Sequence, residues 1–315
     1  MLKGPLIIIV GPTAVGKSDL GMELARKLNG EIINGDSIQV YQELDIGSAK
    51  PSLGELGEIR HHLINILEPD KPFTTAVFQS LARVILADIQ ARRKMPIIVG
   101  GTGLYIRSLT DDYSFPLEGS DKIKTKWLTF VRNHGSLALH GKLAEIDPST
   151  ARRLHPNDTA RVVRALEVSE ITGKPLSEQR DYLETKYPAL DQTVIYLGLD
   201  APRQVIYDRI NLRCESMLEA GLIQEVEGLL RKYPYQTKSL QSIGYRHVIQ
   251  YLRGLTKYEE MLRLFQRDTR HFAKRQFTWF RRDPRIKWYD TYKYSKSEII
   301  SDVFHTCREA LSRVE

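Results

Sequence analysis

A P-loop NTPase-like α/β fold, with a parallel sheet flanked by helices, is what this sequence predicts, and three observations carry the prediction. Short segments rich in β-branched residues alternate with longer stretches of helical period. A glycine-rich loop joins the first such segment to the first helical stretch. A charged, helix-patterned region without a strand then interrupts the alternation before it resumes, which predicts an inserted all-helical subdomain and a helical C-terminal part.

The strands are expected at Leu6–Val10 and at residues 31–33, 96–99 and 193–199. Leu20, Leu24 and Leu28 recur every four residues and mark a first helix ending near Gly30, while Phe78, Leu81, Ile85 and Ile89 mark a helix before the third of these strands. Between about Pro116 and Asp191 no strand pattern stands out, so the chain divides into a first core part (1–115), a helical insert (116–191) and a return to the core (192–315). The last part carries a stripe of Ile206, Ile210 and Met217 and a basic amphipathic run from Tyr258 to Arg282. No internal repeat is present.

Forty-six Lys and Arg against 39 Asp and Glu leave a net charge of +7, which favours a polyanionic partner through counterion release. Cys214 and Cys307 are the two cysteines; they lie far apart and without metal-ligand spacing, so no disulfide framework or zinc site is suggested and a reducing cytoplasm fits. No apolar run reaches membrane-spanning length and the apolar start is too short for a secretion signal, so a cytoplasmic protein without a membrane partner is expected, working as a monomer.

Gly11, Pro12, Thr13, Ala14, Val15, Gly16, Lys17 and Ser18 match the P-loop pattern in full, directly after an apolar strand and before an amphipathic helix. Glycines let the backbone curl so that its N–H groups face phosphate oxygens; Lys17 adds a point charge, and Ser18 can ligate Mg2+. The carrier of the phosphates is not specified by the loop. A guanine-reading N-K-x-D is absent, and the strand at 96–99 runs into Gly100 and Gly101 rather than an Asp. The core therefore looks kinase-like but suited to another group transfer.

The P-loop, the run from Asp36 to Tyr41 (D-S-I-Q-V-Y), the run from Asp45 to Pro51 (D-I-G-S-A-K-P) and the run from Gly100 to Tyr105 (G-G-T-G-L-Y) together resemble tRNA dimethylallyltransferases in order and spacing. The resemblance extends through R-V-V-R-A-L-E at 161–167, Q-S-I-G-Y-R at 241–246 and A-K-R-Q-F-T-W-F at 273–280, and so covers nearly the whole chain. Ser48 and Lys124 depart from it, standing where threonine and arginine are usual. It implies transfer of a dimethylallyl group from dimethylallyl diphosphate to the N6 amine of the adenosine 3′ to the anticodon. It also implies Asp36, Thr102 and Arg213 as catalytic residues. The tRNA contacts it implies fall at Asp36, Ser37, Ile38, Gln39, Thr102 and Lys124; at Ala160, Arg161, Val162, Val163 and Arg164; at Gln241, Ser242, Ile243, Gly244, Tyr245 and Arg246; and at Lys274 and Arg275.

The residue chemistry stands beside that resemblance. Asp36 follows a short strand and so lies at the sheet edge where the P-loop opens, a position for a base that takes the proton of a poorly nucleophilic amine; a helix cap or a magnesium ligand are its other readings. Thr102 lies in a glycine-flanked turn at the same edge, either touching the target nucleotide or stabilising the turn. Arg209 and Arg213 are four apart on a helix and can both reach the phosphate edge. The basic run interleaves Arg263, Arg267, Arg270, Lys274, Arg275, Arg281 and Arg282 with Phe272, Phe277, Trp279 and Phe280, either an RNA surface or core packing. A small-molecule kinase leaves the basic C-terminal part unexplained, a non-catalytic RNA-binding switch leaves Asp36 and Thr102 idle, and an enzyme acting on free adenine nucleotides needs no helical RNA-binding parts.

Overall fold

The computed structural model describes residues 5–111, 119–178 and 194–312. Pro116, Asp191 and Thr193, which bound the expected insert and strand, lie outside the described residues. Two compact units divide the chain, one made of Met1–Leu109 with Ala189–Glu315 and the other of Thr110–Pro188.

In the first unit, β1 (Leu6–Val10) leads through the P-loop to α1 (Lys17–Lys27), then β2 (Gly30–Asn34), α2 (Leu53–Glu58), β3 (His61–His62), α3 (Thr75–Ala91), β4 (Met95–Val99) and α4 (Gly103–Thr110). The second unit holds α5 (Asp121–Ile146), α6 (Pro148–Arg153) and α7 (Thr159–Thr172). The chain returns with β5 (Val194–Asp200), α8 (Arg203–Glu219), α9 (Leu222–Leu230), α10 (Tyr245–Leu252), α11 (Tyr258–Phe280), β6 (Lys287–Asp290) and α12 (Lys296–Ser312).

The strands form a six-stranded sheet in the order β3-β2-β4-β1-β5-β6, and every pairing is parallel. β1 is fully buried because helices cover both faces, which is why it reads as an unbroken apolar run. Ile7, Ile9, Ile32 and Ile97 face one layer, with Leu20, Leu24, Ile206, Ile210 and Phe265; Leu6, Ile8, Ile33 and Ile98 face the other, with Phe78, Leu86, Ile89 and Ile106. The chain fills one side of β1 (β2 and β3, then β4 between β2 and β1) before it adds β5 and β6 on the other, so the carboxyl end of β1 is a reversal point where ligands of such sheets bind.

Two expectations change in detail. Leu81 is exposed, and the inward stripe of α3 runs through Phe78, Ala82, Leu86 and Ile89: the face steps by four twice before stepping by three, which puts the small Ala82 rather than the larger Leu81 against the core. On α8 the stripe is Ile206, Ile210, Cys214 and Leu218, with Met217 only partly buried beside it. In the helical unit, Gly135 takes a φ of 81° and breaks α5 into two helical halves. Trp127 Nε1 donates to Glu170 at 3.1 Å, Ser120 N donates to Glu167 at 2.7 Å, and Trp127, Leu139, Leu143, Val162, Val163 and Leu166 form that unit's own core. No helix among the described residues is long and apolar enough to cross a membrane.

Candidate active site

Gly11, the first residue past β1, has a φ of 143°, and a Cβ there would come within 2.5 Å of the Leu199 carbonyl oxygen, so only glycine lets the loop pass the end of β5. Gly16 caps α1 in the left-handed region at φ 97°, and no side chain caps that helix, which leaves its first N–H groups for an anion. Lys17 Nζ donates to the Pro12 carbonyl at 2.7 Å. Lys17 keeps a little surface but is ringed by protein; that burial, with the Arg213 charge beside it, lowers its ammonium to about 7 against the opposing pull of Asp36.

Asp36 follows β2 and is held in a turn by Asn34, whose Oδ1 accepts from Asp36 N at 2.9 Å and whose Nδ2 donates to the Asp36 and Leu63 carbonyls, each at 3.0 Å. Burial raises the Asp36 carboxyl; the Ile38 N–H at 2.8 Å, Lys17 and Arg213 pull the other way. The Thr102 hydroxyl accepts from Ser37 N at 3.2 Å, and Thr102 N donates to the Gly35 carbonyl at 3.1 Å, so the turn after β4 and the turn after β2 brace each other. They meet backbone to backbone: a Cβ on Gly100 would fall 2.3 Å from the Gly35 carbonyl.

These elements wall a cavity of about 640 Å³ lined by Thr13 to Ser18, Asp36, Gln39, Ser48 to Pro51, Gly101, Arg209, Arg213 and Gln276, among others. A carboxylate, an ammonium and a guanidinium thus share one space at the carboxyl edge of the sheet. Arg213 is partly buried and lowered in pKa chiefly by that burial, whereas Arg209 is exposed on the same helix. Gly11, Pro12, Ser37, Ile38 and Thr102 are not among the residues that line the cavity.

One side of the cavity is shaped by contacts that sequence spacing did not reveal. The Glu225 carboxylate accepts from Asp45 N at 3.2 Å, Ile46 N at 2.7 Å and Gly47 N at 3.2 Å, and from the Tyr245 hydroxyl at 2.6 Å. Gln39 Nε2 donates to the Ser48 and Ala49 carbonyls, each at 3.1 Å, and Lys50 Nζ donates to the Tyr41 carbonyl at 2.5 Å and to Asp45 at 2.7 Å. The loop after Gln39 is therefore preset before any ligand arrives.

A family model described as IPP transferase matches residues 39–283. The tRNA dimethylallyltransferase of Desulfitobacterium hafniense (strain Y51) is 57% identical over 312 residues, covering 99% of each chain, and that of Carboxydothermus hydrogenoformans is 48% identical over 299 residues, covering 95% of this chain and 96% of the other. The chain belongs to the IPP transferase family. Its fold aligns with the full-length tRNA isopentenylpyrophosphate transferase of Bacillus halodurans (TM-score 0.72, 37% identity, 99% and 98% coverage). It aligns also with a eukaryotic dimethylallyltransferase solved acting on tRNA (TM-score 0.80, 30% identity, 96% and 80% coverage).

The other positions singled out in this IPP transferase fall into two groups. Lys124, Ala160, Arg161, Gln241, Lys274 and Arg275 are exposed, Arg161 lying 3.4 Å from Asp158. Val162 and Val163 point into the core of the helical unit, Arg164 donates to Glu167 at 2.7 Å, Ile243 is partly buried, and Tyr245 is fully buried. Ser242 Oγ donates to the Ser239 carbonyl at 2.6 Å, Gly244 turns at φ 90° to open α10, and Arg246 pairs with Asp268 at 2.5 Å. On α11, Arg263 pairs with Glu260, Arg267 with Asp268, and Arg270 donates to Asn211 at 2.5 Å, while Ala273, Gln276 and Phe280 turn inward.

Proposed function

We propose that the chain transfers the dimethylallyl group of dimethylallyl diphosphate to the N6 amine of the adenosine 3′ to the anticodon in tRNA and releases diphosphate. The observation that carries this reading is the single cavity shared by an uncapped P-loop helix, two enclosed cations and the Asp36 carboxyl. The similarity to tRNA dimethylallyltransferases described above supports it.

In this reading the P-loop amides, Lys17 and Arg213 bind the diphosphate and neutralise charge as the allylic C–O bond breaks. The amine forms the new C–N bond, and Asp36 takes the proton it sheds. A carboxylate already raised by burial accepts that proton more readily than a solvated one. Thr102 acts by fixing the Asp36 turn. The target adenine leaves its stack to enter the cavity, which costs little in a loop.

Ser18 offers a hard oxygen donor at the cavity wall, and the described residues hold no cluster of three or more His, Cys, Asp or Glu, a donor set that suits Mg2+ carried on substrate phosphates better than a metal caged by protein. Bound there, Mg2+ supplies charge neutralisation of the leaving group. The exposed Lys124, Arg161, Lys274 and Arg275 supply phosphate contacts to the anticodon stem-loop, the helical unit among them, and the protein acts as a cytoplasmic monomer.

The test is incubation with unmodified tRNA and labelled dimethylallyl diphosphate beside parallel reactions with ATP and small acceptors. Label at the adenosine 3′ to the anticodon is expected; label only in a small acceptor, or phosphoryl transfer from ATP, overturns the reading.

A further inference from the structure

Gln276, inside the 273–280 block of α11, is given no role by that motif or by the reaction above, and it is only 5% exposed. Its two amide atoms reach two different loops. Oε1 accepts from the P-loop amide Thr13 N at 2.8 Å, and Nε2 donates to the Gly101 carbonyl, in the turn after β4, at 3.1 Å. The approach is close enough that a Cβ on Gly101 would meet Nε2 at 2.0 Å, so the glycine exists to admit this amide.

The two loops serve opposite substrates. Thr13 belongs to the loop that holds the diphosphate; Gly101 is followed by Thr102, which accepts from Ser37 N beside Asp36. Few side chains fit the join. It needs an acceptor and a donor together, without charge, at the end of a three-carbon reach. A carboxylate would offer acceptors alone and would add negative charge to a cavity built for an anion, while an apolar residue would leave a buried N–H and a buried C=O unpaired.

We infer that Gln276 is a positioning residue that holds the donor loop and the acceptor turn at a fixed spacing, so that the allylic carbon and the amine meet at reacting distance. This rests on the transfer reaction proposed above. Both polar atoms of its amide are spent on the two loops, so its effect is on the geometry between two sites that each remain able to bind. A displacement of about 1 Å between reacting groups can cost about a hundred-fold in rate.

The experiment compares wild type with Gln276→Met, which keeps length but no polar atoms, Gln276→Asn, which keeps the amide but is one methylene too short to serve both loops, and Gln276→Glu. Four quantities are read: the single-turnover transfer rate at saturating donor and tRNA, the affinity for inorganic diphosphate with magnesium, the affinity for unmodified tRNA, and hydrogen exchange at Thr13. Met and Asn are expected to slow transfer about a hundred-fold, to leave both affinities within about three-fold of wild type, and to expose Thr13 N to exchange in the Met variant; Glu is expected to lose diphosphate affinity as well. Loss confined to tRNA affinity would make Gln276 an RNA contact, loss confined to diphosphate affinity would make it a prop of one loop, and an unchanged rate with Thr13 still protected would remove the join. Each of these overturns the inference. Wild type that labels no tRNA while binding diphosphate instead overturns the reaction proposed above, and Thr13 exchange still reports the join.

Discussion

Two acids stand at opposite ends of one strand, Glu31 buried and Asp36 partly buried, and their carboxyls are shifted in opposite directions. Glu31, at the start of β2, is met by Arg92, by His62 Nε2 at 2.7 Å and by Lys94 Nζ at 3.0 Å, and Arg92 above all holds its carboxyl well below the usual carboxylate range. Asp36, just past the end of the same strand, faces two cations that it does not bond directly, and burial pushes it up. A satisfied carboxylate is a fastening. A carboxylate that accepts backbone N–H groups but no cation directly, beside the phosphate loop, suits the base role proposed for it, and environment rather than residue type makes the difference.

The sharpest way to break this contrast is Asp36→Asn, which keeps shape and one acceptor but takes no proton. Single-turnover transfer is expected to fall by roughly a hundred-fold to ten-thousand-fold with the fold intact. Near-wild-type turnover would end the role of Asp36 as base, and recovery of the rate with added magnesium would make it a metal ligand instead.

Glu31→Gln is the reciprocal change. It is expected to lower unfolding free energy by about 2–3 kcal/mol and to leave the transfer rate within a few-fold of wild type. Because the folded Glu31 carboxyl lies below its unfolded value of 4.5, its contribution is present above that pH and is lost as pH falls through the folded value, so wild type and variant should converge in acid denaturation. A variant with wild-type stability at pH 7 but reduced transfer would put Glu31 in the site after all.

Lys17 gives a pH signature of the same principle. Its ammonium sits near 7 rather than 10.5, so above pH 7 the empty site loses a proton that the diphosphate needs, and binding takes it up again. Donor affinity should fall with rising pH by up to about ten-fold per unit, with proton uptake in calorimetry, and Lys17→Met should abolish both while leaving tRNA affinity nearly unchanged. Before donor arrives, the same depressed pKa costs stability below pH 7 that is regained as pH rises toward 10.5, so Lys17→Met should melt higher than wild type at pH 7. Uptake unchanged in the variant would assign the proton elsewhere.

The smallest effects belong to solvated cations, which act one phosphate at a time. Lys274→Ala and Arg275→Ala are each expected to lower the slope of log affinity for tRNA against log salt by about 0.7–0.9, with little change in rate at saturating tRNA. Arg270→Ala should change it less, since that guanidinium is already spent on Asn211. An unchanged slope in the double variant would take α11 out of the RNA surface.

What could be read from the sequence follows the same division. The P-loop, the strand before it and the helix after it are encoded within about two dozen consecutive residues, so local pattern suffices. β3 is two residues long and β6 reads Lys-Trp-Tyr-Asp, an edge strand whose polar positions carry no period-two signal. The parts played by Glu225 and Gln276 were not legible because they bond mainly to backbone groups of other loops, up to 263 residues away for Gln276 and Thr13, and no spacing rule connects them. The blocks at 161–164 and 241–246, to which the resemblance assigns tRNA contacts, were visible as motifs, yet their valines and tyrosine are packing residues with exposed neighbours.

The placement of β1 governs when the protein becomes competent during synthesis. Its carboxyl end is lined by residues from the first third of the chain, but its second neighbour, β5, arrives only with residue 194, Arg213 with α8, and the Gln276 amide near the end of α11. A ribosome that has delivered β1, the P-loop, Asp36 and Thr102 has delivered every residue of the loop motif and none of the side chains that close it from the far side. A nascent chain or a fragment ending before α8 would therefore carry the recognisable nucleotide-loop signature while lacking the cavity, and the donor would find a working site only when translation was nearly complete.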